Sequence, residues 1–388
     1  MKILFMGWRS AGRKDLEEAF VAEGHSYIYP PFSIEEKTYS DLPELEQTML
    51  SLLREETPDI VFSVNYYPAI SILCNKCKIR YISWIYDSPY RRLYSATVLN
   101  PCNVIYVFDK ELYLEFHHAG IHTVHYMPLA ANTERLDAID RSLPTPLPYI
   151  YDVSFLGSLY LEDGGAYNQI ADALPEYAKG YLDALTAAQL KIQGYNFIEE
   201  VLGPVMEDLT KVCPVDQEPG SFEPKEYYYA NYVINRRITA IERIDLLDAI
   251  ARKHTVDFWT QYEGFRLPNL NNHGYADYYN EMPLVFKQSK INLNITLRGM
   301  KGGVPLRAID IMGCGGFLLS NFQSGFLDYF VPGEDFVYFE NKEDLLYKID
   351  YYLEHEEERK EIAGNGHDKI AAGHTYRHRV REMFDSLL

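Results

Sequence analysis

The sequence predicts an α/β protein made of two domains, each built around a parallel sheet. Three observations predict it. Short apolar segments alternate with amphipathic helical stretches through residues 1–130; the same alternation opens again at Asp152; and Pro144, Pro146 and Pro148 punctuate the stretch between them as a stiff linker would. A chain of 388 residues can form two cores of ordinary size, and 47 % hydrophobic with 24 % charged residues is an ordinary globular balance.

The elements follow in order. Lys2 to Gly7 is apolar and reads as a strand, followed by a helix from about Lys14. Asp59 to Val64 repeats the pattern, with a helix from about Pro68. Tyr81 to Tyr86, Asn103 to Phe108 and His122 to Met127 supply further strands. Ligand sites in such layers lie at the carboxyl ends of the strands. The second alternation begins with Asp152 to Gly157. Residues 164–254 then read as helical, with IERIDLLDAIARKH placing apolar side chains at helical spacing. Thr255 to Thr260 and Ile291 to Leu297 resume the strands, Asp335 to Phe339 reads as the last, and charged helices run from Lys342 to the end. The expected domains are 1–140 with the terminal helix 374–388, and 150–373 carrying a helical insertion at about 164–254. Two units of this kind suggest a cleft between them.

Composition excludes several classes. A net charge of −19 argues against nucleic acid, whose binding rests on Lys and Arg neutralising phosphates, and against an anionic membrane surface. The opening apolar run is too short for a signal peptide, and no stretch is long enough to span a bilayer, so a cytoplasmic protein is expected. Five scattered cysteines form no disulfide framework; Cys74 and Cys77 make one CxxC without the second pair zinc needs. His117 and His118 lack metal-pair spacing. Gly7 to Lys14 nearly matches a phosphate-binding P-loop, but Arg13 stands where its lysine should be and Asp15 where its Ser or Thr should be. The 33 tyrosines suit sugar or base stacking, and equally amphipathic packing.

The most informative stretch is Ile291 to Asn321, INLNITLRGMKGGVPLRAIDIMGCGGFLLSN, which reads as strand, glycine turn, helix start and strand. Gly302 and Gly303 let backbone amides approach an anion. Val304 and Pro305 open the helix, and Arg298 and Lys301 are expected to carry charge to the same phosphates. Asp310, in the apolar run of that helix, could accept hydrogen bonds from ribose hydroxyls or serve only as a helix-start acid. In the first domain Asp87 lies just past the strand Tyr81 to Tyr86 and before Pro89. It could orient or deprotonate an acceptor hydroxyl, or act as a turn residue starting the next helix. Arg236 and Arg237 could reach a diphosphate or line a solvated helix face.

Several segments together resemble the donor signature of retaining GT-B glycosyltransferases, and more closely the CgeB-like family: the EMP of Glu281 to Pro283, SKINLNITLR of Ser289 to Arg298, GGVPLRAIDIMGCGGFLLSN of Gly302 to Asn321, and HTYRHRV of His374 to Val380. The resemblance is strong over the C-terminal third and general elsewhere. It implies two Rossmann-like domains with a cleft between them, the donor in the C-terminal domain, the acceptor in the N-terminal one, and a final helix returning to the first domain. It places Glu281 near the donor base or ribose, Tyr262 in a base-reading loop, and Gly157 and Ser158 on the cleft. In the superfamily two glutamates bracket the loop and helix; here the second falls on Asp310 and the first on Gly302, which leaves stereochemistry open. The chain offers no DxD pair, so a divalent ion is not expected at the diphosphate. The activity implied is metal-independent transfer of a sugar from a nucleoside diphosphate sugar to a hydroxyl of a protein, polysaccharide, lipid-linked sugar or small molecule. An epimerase of the same fold, or an inactive nucleotide-sugar-binding module, are the alternatives.

Overall fold

A computed structural model describes residues 1–6, 10–32, 42–140, 147–161 and 165–385. The chain divides into two compact units: Met1–Ala131 with Gln217–Glu223 and His374–Leu388, and Asn132–Asp216 with Pro224–Gly373.

The first unit holds a six-stranded parallel sheet in the order β2-β1-β3-β4-β5-β6. Its strands are β1 (Lys2–Met6), β2 (Ser26–Ile28), β3 (Ile60–Val64), β4 (Arg80–Trp84), β5 (Asn103–Val107) and β6 (Val124–Tyr126). The inner strands are apolar nearly throughout because helices cover both faces of a parallel sheet: α1 (Arg13–Ala22), α2 (Leu42–Glu56), α3 (Pro68–Cys77) and α4 (Lys110–His118). Phe5, Phe20 and Phe62 meet edge to face at centroid distances of 5.3–5.8 Å where α1 packs on the sheet. The edge strand β2 has no counterpart in the sequence reading, being three residues long and only partly buried. β4 ends earlier than expected because the Tyr86 N–H leaves the ladder and donates to Asn65 Oδ1 at 2.8 Å.

The second unit repeats the layer with the order β12-β11-β10-β7-β8-β9. Its strands are β7 (Tyr151–Leu156), β8 (Val256–Trp259), β9 (Leu270–Asn272), β10 (Ser289–Asn294), β11 (Leu318–Asn321) and β12 (Val337–Phe339). β10 is two residues earlier at its start and three at its end than the sequence suggests. The reason is chemical: the Thr296 N–H donates to Asn321 Oδ1 at 2.8 Å and the Arg298 N–H to Thr239 Oγ1 at 3.0 Å, so the chain has left the ladder. β12 likewise starts at Val337, because the Asp335 carboxylate closes a turn on the Val331 N–H at 2.8 Å.

Helices of this unit are α5 (Thr133–Asp140), α6 (Ala166–Ala171), α7 (Glu176–Gln189), α8 (Ile198–Val201), α9 (Met206–Val212), α10 (Lys225–Tyr228), α11 (Asn235–Ala251), α12 (Met282–Gln288), α13 (Leu306–Gly313), α14 (Lys342–Glu354) and α15 (Glu356–Gly373). Those from α6 to α11 build a cluster of their own around Leu182, Ile198, Leu209, Val233 and Ile238, separate from the sheet core around Phe155, Phe258 and Leu293. The last helix, α16 (Tyr376–Asp385), belongs to the first unit and packs on α1. Pro144 and Pro146 of the expected linker lie outside the described residues.

Candidate functional site

In the second unit polar groups gather at the ends of two strands. β7 and β8 run parallel, and the residues just past their carboxyl ends, Gly157, Ser158, Thr260 and Gln261, wall a cavity of about 290 Å³ with Trp259, Tyr275, Met282 and Arg307. Gly157 is closely surrounded there. A β-carbon on it would lie 3.0 Å from the Phe155 ring and 3.4 Å from Arg243 Nη1. Arg243, buried on α11, holds the strand ends together: its Nε donates to the Ile295 carbonyl at 3.1 Å, past β10, and its Nη1 donates to the Ser158 carbonyl, past β7.

Arg307 is the cation of this cavity, and the sequence reading did not single it out. It sits at the start of α13, directly after the glycine turn, with its guanidinium against Met282 Sδ and 5.6 Å from the Phe286 ring centroid. Removal from water lowers its pKa and the Asp310 carboxylate opposes that shift. The signal was present: helix positions i and i+3 share a face, so Arg307 lies beside the Asp310 already noted. Asp310 itself is buried and accepts a hydrogen bond from Tyr278 Oη at 3.0 Å.

Arg298 has its own partners within the unit, and its guanidinium does not present an open charge. It is buried against Glu242 of α11, with Nε donating to Oε2 at 2.8 Å and Nη2 to Oε1 at 2.5 Å, while Nη1 donates to the Ile192 carbonyl at 2.7 Å. A carboxylate held bidentately on one edge of the fork takes up the charge a phosphate would have used. Lys301 is exposed, and Gly302 and Val304 are buried, the Gly302 carbonyl accepting from the Gly325 N–H at 2.9 Å. Gly303 is buried too, and Pro305, without an N–H, stands immediately before α13, to which no side chain provides a cap.

Other expected residues fall elsewhere. Glu281 is exposed and closes a local turn by accepting the Asp277 N–H at 2.8 Å, while its neighbour Met282 lines the cavity. Tyr262 packs against the sheet core, and Thr260 and Gln261 before it do the lining. Arg236 and Arg237, on α11, line a second cavity of about 250 Å³ that shares no wall residue with the first.

In the first unit Asp87 is exposed beyond the end of β4, with Oδ2 accepting from Asn65 Nδ2 at 2.8 Å. The protein mass around it raises its carboxyl above the usual range, and the Asn65 hydrogen bond opposes that. Asn65 adopts a left-handed backbone (φ 61°), so the end of β3 is shaped to hold the Tyr86–Asp87 turn. Of the P-loop-like segment, Gly7, Trp8 and Arg9 lie outside the described residues. Gly12 follows a packing demand: it has φ 73°, and a β-carbon on it would lie 2.0 Å from Tyr376 Oη. Among the described residues no group of three His, Cys, Asp or Glu is placed to hold a metal, and no helix is long and apolar enough to cross a membrane.

Two parallel six-stranded sheets with flanking helices are the GT-B fold, and comparison with solved structures bears this out. Sucrose-phosphate synthase from Thermosynechococcus elongatus superposes with a TM-score of 0.53 at 11 % identity, over 100 % of this chain and 99 % of that one. HepE from Anabaena, in complex with UDP and glucose, gives 0.51 at 10 % identity over 99 % of each chain. The lipopolysaccharide outer core galactosyltransferase WaaB gives 0.51 at 12 % identity over 100 % of each. Residues 237–385, which include α13 and Arg307, match the family model described as glycosyl transferase-like. No curated protein matches the sequence.

Proposed function

We propose that this protein is a glycosyltransferase that takes its sugar from a nucleoside diphosphate sugar, bound in the cavity at the ends of β7 and β8. The observation carrying this reading is Arg307, a guanidinium drawn into that cavity at the start of a helix that follows a glycine turn. The bond between the sugar anomeric carbon and the diphosphate oxygen breaks as an acceptor oxygen attacks, and negative charge builds on the leaving diphosphate. Arg307 and the uncapped start of α13 are the groups assigned to that charge, as preorganised donors and cations are. Asp310, with Tyr278, is assigned to the ribose. Asp87 is assigned to the acceptor hydroxyl, whose proton its carboxylate would receive. A uridine donor is favoured by the UDP held in HepE.

A thermal-shift comparison of UDP, GDP, ADP and dTDP tests it, because a ligand that binds only the folded state raises the melting temperature. At least one diphosphate should do so in the native chain and lose most of the effect in Arg307→Met. If none shifts the melting curve, the cavity is not a nucleotide site. Release of sugar from the matching donor then separates a transferase from the inactive module that Gly302, standing in the first glutamate's place, keeps in view.

A further inference from the structure

We infer that Asn65 is the positioning residue of Asp87, holding one oxygen of its carboxylate so that the other meets the acceptor hydroxyl. This rests on the assignment of Asp87 to that hydroxyl. Asn65 follows the last residue of β3, and its N–H still donates to the Trp84 carbonyl of β4 at 2.8 Å. Its backbone then turns left-handed (φ 61°), and the side-chain amide reaches the chain leaving β4. Both ends of that amide are used there. Oδ1 accepts the Tyr86 N–H at 2.8 Å and the Asp87 N–H at 3.4 Å, while Nδ2 donates to Asp87 Oδ2 at 2.8 Å. Two N–H groups need an acceptor and the carboxylate needs a donor, so the set of partners fixes which way the amide faces. Glycine would supply the left-handed turn alone; an amide also grips the carboxylate.

Asn65 is itself held from inside the sheet. The Tyr67 N–H donates to Tyr81 Oη at 3.1 Å, Tyr81 Oη lies 2.7 Å from Ser63 Oγ, and Ser63 Oγ donates to the Asn65 carbonyl. These bonds run in one direction when the Tyr81 hydroxyl donates to Ser63, and both of those side chains are fully buried. Buried support of this kind keeps a group in the orientation its chemistry needs. The same contact bears on ionisation. The protein mass around Asp87 raises its carboxyl and the Asn65 hydrogen bond opposes the rise, so the grip favours the ionised form, the one that can take a proton. The charged and titratable groups on the same loop and the next strand end are Tyr90, whose hydroxyl donates to the Tyr66 carbonyl at 2.7 Å, Arg92, 4.8 Å from the Tyr67 ring centroid, and Asp109, which receives the Ser88 hydroxyl at 3.0 Å.

Carbon NMR on the full chain, with aspartate labelled at its side-chain carboxyl, tests the assignment without a substrate. The signal lost in Asp87→Asn identifies Asp87, and its pH titration is followed in the parent, Asn65→Gly and Asn65→Asp. Glycine keeps the left-handed backbone and removes the amide. Aspartate keeps an acceptor for the Tyr86 N–H but meets Asp87 with a second carboxylate. The midpoint should move to higher pH in Asn65→Gly, where the donor is gone, and the last proton should leave at higher pH still in Asn65→Asp. A midpoint that stays or falls in Asn65→Gly would show that Asn65 only shapes the turn; should that variant fail to fold, an unmoved titration in Asn65→Asp overturns the proposal in its place. In hydrolysis of UDP-glucose, with water in the acceptor's place, kcat should fall about tenfold or more in Asn65→Gly while KM holds. A raised KM with kcat unchanged would count against positioning. The titration needs no donor, so failure of the nucleotide reading leaves its result standing.

Discussion

Arg298 and Arg307 stand on either side of one glycine turn and have opposite fates. Arg298 is a strut: its buried pairing with Glu242 ties the loop after β10 to α11. Removing one partner leaves the other charge buried and uncompensated, so Arg298→Ala is expected to cost about 3–5 kcal/mol in denaturant unfolding. A variant as stable as the parent would mean that the pair is not formed. Arg307→Met should instead leave stability nearly unchanged and weaken diphosphate affinity by roughly tenfold to a hundredfold in calorimetry, the scale of one charge-assisted contact. Asp87 gives a pH signature. Its folded pKa lies above the unfolded one, so the folded state holds more protons in that window, and its contribution to stability falls as pH rises from the ordinary carboxylate range through the higher folded value. The difference in unfolding free energy between parent and Asp87→Asn should therefore drift against the parent across that window, by no more than about 0.5 kcal/mol because the group is exposed. A constant difference would remove the raised pKa.

At the scale of elements, α16 is the clearest case of a helix fastened by both apolar and charged contacts. Phe384 stacks on Phe20 of α1 at 5.9 Å, and Val380 and Met383 are buried. Glu23, at the end of α1, receives Arg377 Nε at 3.0 Å and Arg381 Nε at 3.1 Å. Burial alone would raise the Glu23 pKa, but the hydrogen bonds and charges of Arg377 and Arg381 outweigh it and bring the pKa below the usual range. A lowered folded pKa means that the stabilisation is present above the unfolded value and lost as pH falls through the folded one. Glu23→Gln should then lower stability by about 0.2–1 kcal/mol at neutral pH, the range of partly exposed pairs, and make no difference in acid below the folded value. The same loss at both pH values would show packing, not charge, to be at work. The return of this last helix was an expectation of the family resemblance; its fastening by charge was not legible in the sequence, since Glu23 and Arg381 lie 358 residues apart.

For the whole molecule, the acidic balance and the placement of cations bear on the metal. To bind a diphosphate, a chain with net charge −19 would need local positive charge, and Arg307 and the start of α13 are the groups proposed to supply it. Transfer activity, measured with the donor found by thermal shift, is expected to persist in excess EDTA. Loss with chelator and recovery with magnesium or manganese would assign the phosphate charge to carboxylates instead.

The sequence by itself determined the two parallel sheets and the strand, turn and helix around Gly302 and Gly303. Buried parallel strands such as β3 and β5 are apolar nearly throughout, and that constraint is local enough to read residue by residue. β2 and β9 escaped because three partly buried residues at a sheet edge carry no such pattern. What only the tertiary structure decided was the partner of each charge. Arg298, Arg307, Arg236 and Arg237 are equal in a sequence, each a guanidinium near a predicted element. Folding brought Glu242 to Arg298 across 56 residues, set Arg307 beside the ends of β7 and β8, and carried Arg236 and Arg237 to a different cavity. Charge is a property of the residue, but its availability depends on what the fold places within a few ångströms of it.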